Sequence, residues 1–193
     1  MRFFKHLLAG TFSLILSAAT MAATVDVAGV KVEDSTTVAG TKLQLNGSGI
    51  RYKFVKLYVG SLYTSKKVHS HEEMLAAPGP KRLQMTFLRE VESAPIGKLF
   101  TRGIEDNVPK AQLSKLIPSI IRMGEVFTAT KSFAPGEGIL LDWIPGTGLI
   151  ITVKGKQWGE SFKEPEFFAA LMAIWFGPNP GDWKLKDAML DNK

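Results

Sequence analysis

The chain contains no cysteine among its 193 residues. This absence excludes disulfide bonds, zinc sites with thiolate ligands and cysteine nucleophiles together. Histidine is also scarce, and two of the three, His69 and His71, flank a serine in a polar loop. Loop histidines without a firm scaffold are usually solvated, so we expect no metal site. The sequence shows no Ser-His-Asp set, P-loop or dinucleotide fingerprint, so we assign no catalytic residue and no cofactor.

No apolar run approaches the roughly 20 residues that a membrane-spanning helix needs. A short one, 7–16, follows a basic head with Arg2 and Lys5 and precedes small residues that end at Ala22. This order of basic, apolar and small residues is typical of a secretory signal peptide. We therefore predict a signal peptide over 1–22 and a single domain over 23–193. The domain is expected in the bacterial periplasm, without a stable membrane anchor after cleavage.

A large excess of one charge is missing as well. The chain has 24 basic and 18 acidic residues, and removing Arg2 and Lys5 with the signal peptide leaves 22 against 18, a net charge of +4. The basic residues are spread along the chain without a Lys/Arg block. Such a mild excess is compatible with an anionic ligand or a membrane surface, but it is too small to indicate nucleic acid.

The stretch 46–65 stands out in what the sequence does contain. Gly47 and Gly49 predict a turn, and a long strand rich in Tyr, Phe, Val and Leu follows it. Arg51 lies where turn and strand meet, and Tyr58 lies in the middle. The two residues are an odd number of positions apart, so an unbroken strand places them on opposite faces. Bringing both into one cleft requires a bulge, or an Arg51 that precedes the strand and folds over.

Shorter patterns complete the secondary structure. Further strands are predicted by alternation, over 24–32, 36–45, 82–88, 139–144 and 149–153. Helical segments are predicted within 69–80, from Ser93, from Pro109, and over 165–176 and 183–190. We expect Ser93 to cap its helix and Pro118 to kink or break the next. Strands, then helices, then a hairpin and further helices predict an α+β fold with helices on one face of an antiparallel sheet.

Four stretches in order resemble the chalcone isomerase fold family, most closely its bacterial chalcone isomerase-like branch. They are GSGIRYKFVKLYVGSLY at 47–63, LFTRGIEDN at 99–107, PGEGILLDW with the PGTG turn at 135–148, and FFAALMAIWFGPNP at 167–180 with WKLKDAML after it. The resemblance covers nearly all of 23–193. It implies an open-faced β-sandwich, in which a large antiparallel sheet carries helices over one face and a ligand cleft lies between them.

The family contains plant chalcone isomerases, non-catalytic chalcone isomerase-like proteins and plastid fatty-acid-binding proteins. By this resemblance, Arg51 matches the arginine that follows the family's G-x-G-x turn. Tyr58 stands at the threonine position of true isomerases, as in the fatty-acid-binding branch. The tyrosine, lysine and asparagine of the isomerase helix correspond to Phe100, Gly103 and Asn107. Because Phe100 cannot ionise and Gly103 offers no side chain, chalcone isomerisation is not expected here.

The resemblance also implies a ligand. Arg51 would supply a planar fork for a carboxylate and Tyr58 a further donor. Asn107, Phe100 and Ile104 complete the predicted ligand-binding set. An apolar tail would lie among Leu116, Ile120 and the helix over 167–176. Plain structural roles stay open for three of these residues: a surface ion pair for Arg51, a core position for Tyr58 and a helix-ending hydrogen bond for Asn107.

The sequence therefore supports three hypotheses about function. The leading one is an exported, non-catalytic binding protein for a small amphipathic anion such as a fatty acid. The second is an isomerase or lyase acting on another enone or carboxylate substrate. The third is a structural or interaction protein of the cell envelope with a vestigial cleft.

Overall fold

The computed structural model describes residues 23–192, so the predicted signal peptide lies outside the described part of the chain. The strands are, in chain order, β1 Thr24–Val27, β2 Val30–Glu33, β3 Ser35–Val38, β4 Thr41–Lys53, β5 Val55–Thr64, β6 Lys81–Phe87, β7 Val91–Glu92, β8 Ser132–Phe133, β9 Gly138–Ile144, β10 Gly148–Val153 and β11 Lys156–Phe162. The helices are α1 His71–Ala76, α2 Ser93–Glu105, α3 Lys110–Ala129, α4 Pro165–Phe176 and α5 Trp183–Met189.

The central feature is a seven-stranded sheet in the order β11-β10-β9-β6-β5-β4-β3, with every neighbouring pair antiparallel. Two small sheets stand apart from it, one of β1 with β2 and one of β7 with β8. The α+β class with one large antiparallel sheet is confirmed. Strand β11 was not foreseen, because its residues are mostly exposed and carry no alternating apolar pattern.

Helix α4 covers one face of the sheet. Its Phe167 ring stacks on Phe162 of β11 at 4.8 Å, and its Phe168 ring stacks on Trp143 of β9 at the same distance. Nine of its twelve residues are buried, so the prediction of a buried helix is confirmed. A smaller apolar cluster forms on the other face, where the β1–β2 hairpin packs over Leu43 and Val59. None of the helices described is long and apolar enough to cross a membrane.

Two of the predicted strands are hairpins instead, those over 24–32 and 36–45. The turn residues Ala28 and Gly29 have φ angles of 53° and 84°, and Ala39 and Gly40 have φ angles of 47° and 77°. A two-residue turn that matches the twist of its strands requires positive φ at both positions. The sequence analysis missed these turns because alanine rarely occupies the first of these two positions.

The turn predicted at 47–49 is wrong, since both glycines lie within β4. Helix α5 crosses the sheet at this point. A Cβ atom on Gly47 would collide with the carbonyl oxygen of Ala188, and one on Gly49 would lie 2.7 Å from the Ala188 Cβ. Gly60 on β5 also lies close to α5, since a Cβ atom there would be 3.2 Å from Leu185 Cδ1. The glycines therefore serve helix packing rather than chain reversal.

The prediction that Ser93 caps α2 is wrong, and of the two effects expected from Pro118 the break does not occur. Ser93 is the first residue of α2 rather than its cap, and its Oγ is buried without a hydrogen-bond partner among the described residues. Glu92 occupies the cap position. Pro118 does not break α3, which runs through it as a single helix of 20 residues. The packing of α3 against α2 and α4 holds the helix together despite the missing N–H.

Candidate ligand-binding site

The long strand predicted within the stretch 46–65 reverses direction at Phe54, so β4 and β5 form a hairpin. Arg51 and Tyr58 are directly opposite each other in this pair. Opposed residues of antiparallel strands point to the same face of the sheet. The chain reversal therefore explains how two residues an odd number of positions apart share one face. Arg51 remains within its strand. A register shift next to Arg51 adds a bulge to the same hairpin.

Tyr58 is the more buried residue of this pair. The side chain is 6% exposed, and its Oη accepts a hydrogen bond from Trp175 Nε1 at 2.9 Å. An indole N–H is a donor only, so the phenol proton is left over for another acceptor, and no described residue takes it. Burial raises the pKa of Tyr58, against the opposing effects of the Trp175 hydrogen bond and the Arg51 charge. At neutral pH the residue is therefore a protonated hydrogen-bond donor.

Arg51 is held from the opposite side by the segment before α5. Its Nη1 donates to the carbonyl oxygen of Gly181 and lies 3.5 Å from Asp182 Oδ2. The Asp182 carboxylate makes shorter bonds elsewhere, with the backbone N–H of Tyr52 at 3.0 Å and with two N–H groups in the first turn of α5. Asp182 thus caps α5 and anchors the hairpin. Nε and Nη2 of the guanidinium donate to no residue in the described part of the chain.

A cavity of about 260 Å³ opens beside these two residues. Hairpin β4–β5, helices α2 and α4 and the segment 179–182 enclose it. Its apolar walls are formed by Leu57, Ile96, Leu99, Phe100, Ile174 and Trp175. Its charged lining residues are Arg51, Lys53, Arg102, Asp106 and Asp182, which carry a formal net charge of +1. The volume is just below the usual range of small-molecule pockets, roughly 300–1,000 Å³.

A family model described as "Chalcone isomerase-like" matches residues 23–191, almost all of the described chain. The chain belongs to the chalcone isomerase-like family. Among solved structures it is similar to a fatty-acid-binding protein of Arabidopsis thaliana, with a TM-score of 0.71 and 14% sequence identity. The similarity covers 89% of this chain and 97% of that one, and at this identity it shows a shared fold. No curated protein sequence matches the chain.

Phe100 and Gly103, the positions where the resemblance placed the tyrosine and lysine of an isomerase helix, both line the cavity. Phe100 lines the cavity and packs edge-on against Trp175, with ring centroids 5.2 Å apart. Gly103 faces α4 so closely that a Cβ atom would lie 2.9 Å from Ile174 Cγ2. A lysine has no room at this position unless the two helices separate. At these two positions the wall of the cavity therefore offers no polar side chain.

The predicted ligand-binding residues do not all meet in the cavity. Asn107 lies outside its lining, and its side-chain amide bonds to backbone. Its Nδ2 donates to the carbonyl oxygens of Gly103 and Asn179 at 2.8 and 2.9 Å, and its Oδ1 accepts from the Asn179 N–H at 2.8 Å. Asn107 therefore joins the end of α2 to the segment after α4. Ile104 is buried in the core and also lies outside the lining.

A second, separate cavity of about 590 Å³ lies between α3 and α4. Leu116, expected along a ligand tail, lines this cavity and not the one beside Arg51. His71 also lines it, with a buried Nε2 that has no hydrogen-bond partner in the described chain. No group of three or more potential metal ligands occurs within residues 23–192.

Gly181 and Asp182 were missed by the sequence analysis, and Trp175 was expected only as part of the helix over 167–176. The Asp-Trp start of the last helix carries a detectable signal, because aspartate is a preferred N-cap residue. Trp175 carries none, since it lies in a helix that is apolar on nearly all sides. Its contact with Tyr58 joins residues 117 positions apart.

Proposed function

We propose that this protein binds a small amphipathic carboxylate, such as a fatty acid, in the cavity beside Arg51 and Tyr58. One observation carries the proposal: an unused phenol proton and unused guanidinium donors share one face of a hairpin, at the wall of a largely apolar cavity. A carboxylate is acceptor-only when ionised, so it complements a site that offers donors. Charge-assisted hydrogen bonds of this kind are among the stronger polar contacts in proteins.

Asp182 is the natural competitor for the guanidinium. Its 3.5 Å contact with Arg51 is longer than its three hydrogen bonds to backbone N–H groups. A ligand carboxylate can therefore take the remaining donors of Arg51 without displacing Asp182 from its cap. Arg51, Lys53 and Arg102 outnumber the two aspartates in the lining, which favours an anion over a neutral ligand.

The cavity volume of about 260 Å³ favours a short or medium acyl chain, or the first part of a longer one. Phe100, Ile96 and Trp175 supply the apolar contacts for the first carbons of the tail. The fatty-acid-binding protein with a similar fold is consistent with such a ligand. Leu116 and Ile120 are not part of the proposed path.

We favour binding over catalysis for the same site. The pKa of Tyr58 is raised by burial, so the phenol serves as a donor and not as a base at neutral pH. Phe100 and Gly103 provide no acid or base nearby. We further propose that the signal peptide over 1–22 directs the protein to the periplasm, which cell fractionation and amino-terminal sequencing of the exported form would test.

The binding proposal is tested by isothermal titration of octanoate, dodecanoate and hexadecanoate into protein that has been stripped of lipid. We expect Arg51→Gln to weaken binding about tenfold or more, the effect of losing a hydrogen bond to a charged group. Lys31→Gln, which removes an exposed cation on β2, is the matched control and should bind normally. The methyl ester of dodecanoate should bind poorly. Equal affinity for acid and ester, or wild-type affinity in Arg51→Gln, would remove the carboxylate site.

A further inference from the structure

The tip of the β4–β5 hairpin carries an unusual set of exposed apolar side chains. Seven large apolar residues are exposed in the described part of the chain. Four of them lie at this tip or beside its base: Tyr52, Phe54, Val55 and Trp183. Trp183 is placed there because the preceding Asp182 accepts a hydrogen bond from the Tyr52 N–H. The patch is therefore concentrated at the tip of the β4–β5 hairpin.

Phe54 at the apex is unfavourable for folding in two ways. Its side chain is 101% exposed, so it contributes nothing to the core. Its φ angle is 65°, in the left-handed region that glycine and asparagine adopt easily and that is strained for a bulky residue. This phenylalanine neither stabilises the core nor suits the turn. Its presence therefore points to a role in a contact outside this chain.

Lysines surround this apolar tip. Lys53 and Lys56 flank it in sequence, and Lys184 follows Trp183. All three are exposed, and none forms an ion pair within the described residues. Aromatic side chains flanked by lysines match the interface of an anionic bilayer, where rings enter the headgroup layer and cations meet lipid phosphates.

We propose that the hairpin tip 52–56, together with Trp183 and Lys184, docks the protein on the surface of an anionic lipid bilayer. Phe54 enters the interfacial layer, and the lysines contact phosphate groups. Lys53 and Leu57, at the two ends of the tip, also line the Arg51–Tyr58 cavity. Docking therefore brings the cavity against the membrane surface, although the docking itself does not depend on what the cavity binds.

The test is co-sedimentation of residues 23–193, which contain the whole family match, with phosphatidylcholine vesicles that contain one quarter phosphatidylglycerol or none. We expect binding to the anionic vesicles only, weakened by raising salt to about 1 M, where the Debye length falls to about 3 Å. Phe54→Asn should lower the partition coefficient about tenfold or more, since it removes one buried aromatic side chain. Asparagine suits the left-handed backbone, so this variant should stay folded.

Lys53→Gln with Lys56→Gln should lower partitioning to anionic vesicles by a further factor of about five to thirty, from the loss of two surface cations. Ile121→Ala is the matched control, because it removes an exposed apolar side chain from α3, away from the tip. It should partition like the wild type. Absence of binding to anionic vesicles, or equal partitioning of wild type and Phe54→Asn, would overturn the proposal. So would a concentration-dependent dimer that Phe54→Asn abolishes, because the tip would then be an interface between two copies.

Octanoate titration of Phe54→Asn and vesicle sedimentation of Arg51→Gln separate this inference from the proposed function. Phe54→Asn should bind octanoate like the wild type, whereas Arg51→Gln should sediment with vesicles like the wild type. A loss of octanoate binding is then assigned to the cavity, and a loss of vesicle binding to the hairpin tip.

Discussion

Arg51 and Tyr58, seven positions apart in the chain, are cross-strand partners on one face of the β4–β5 hairpin. The chain reversal at Phe54 creates this relationship, and the Trp175 N–H and the Gly181 carbonyl hold the two side chains from opposite sides. The donors of the site are thus positioned before any ligand arrives. Preorganisation of this kind lowers the ordering cost of binding.

Tyr58→Phe should affect stability and ligand binding together. The substitution leaves the buried Trp175 Nε1 without an acceptor, which should lower the free energy of unfolding by about 1–3 kcal/mol. It also removes the phenol donor, so octanoate should bind more weakly. Urea unfolding and calorimetric titration measure the two effects. Trp175→Phe completes a double-mutant cycle, and a coupling energy near zero would contradict the hydrogen bond.

Gly103→Ala should destabilise the protein by about 1–3 kcal/mol, because the new methyl group overlaps Ile174 between α2 and α4. Gly124→Ala is a matched control within α3, where a Cβ atom meets nothing within 4 Å. That variant should be stabilised by about 0.5–1 kcal/mol, through the lower conformational freedom of alanine. The thermal midpoints of the two variants should therefore move in opposite directions.

Asn107→Ala should lower the free energy of unfolding by about 2–4 kcal/mol, since three hydrogen bonds are lost, two with Asn179 after α4 and one with the Gly103 carbonyl in α2. Asn179→Ala removes only a side-chain bond to the Asp106 carbonyl and should cost about 1 kcal/mol. Denaturant unfolding of both variants is the measurement. Equal losses would show that the Asn107 amide is not the principal link.

His71 should make stability depend on pH. Burial lowers its pKa from the ordinary value of 6.5, partly opposed by nearby Glu72. The unfolded chain then takes up a proton at higher pH than the folded chain. The free energy of unfolding should therefore fall as pH decreases from about 7 through the folded-state pKa. His71→Gln should flatten this part of the profile, and an NMR titration of the imidazole gives the pKa directly. An unchanged slope in His71→Gln would assign the effect to other groups.

Much of the fold follows from local patterns. Alternation and apolar helical runs depend on near neighbours. They therefore predicted the hairpin around the Pro145 turn, the buried helix over 165–176 and the α+β order. The sequence did not predict the chain reversals at Ala28, Ala39 and Phe54. Each places a residue that disfavours positive φ in a tight turn, so turn chemistry gives no warning.

The site was only partly predictable for the same reason. Arg51, Tyr58 and Phe100 line one cavity, whereas Asn107 and Ile104 lie outside it. A helix pattern says which side of α2 an asparagine occupies, but not whether ligand or backbone meets its amide. Asn107 meets the segment after α4, more than 70 positions later.

The sequence by itself determined the residue types: a guanidinium, a phenol and an apolar wall without the polar groups of an isomerase helix. It also determined the family, through motifs that begin at 47 and lie in order within the matched residues 23–191. Only the tertiary structure decided that Arg51 and Tyr58 share a face, that Asp182 accompanies the arginine, and that Gly47 and Gly49 admit a helix. These relationships join segments far apart in the chain, and their geometry depends on how sheet and helices pack, which no local pattern encodes.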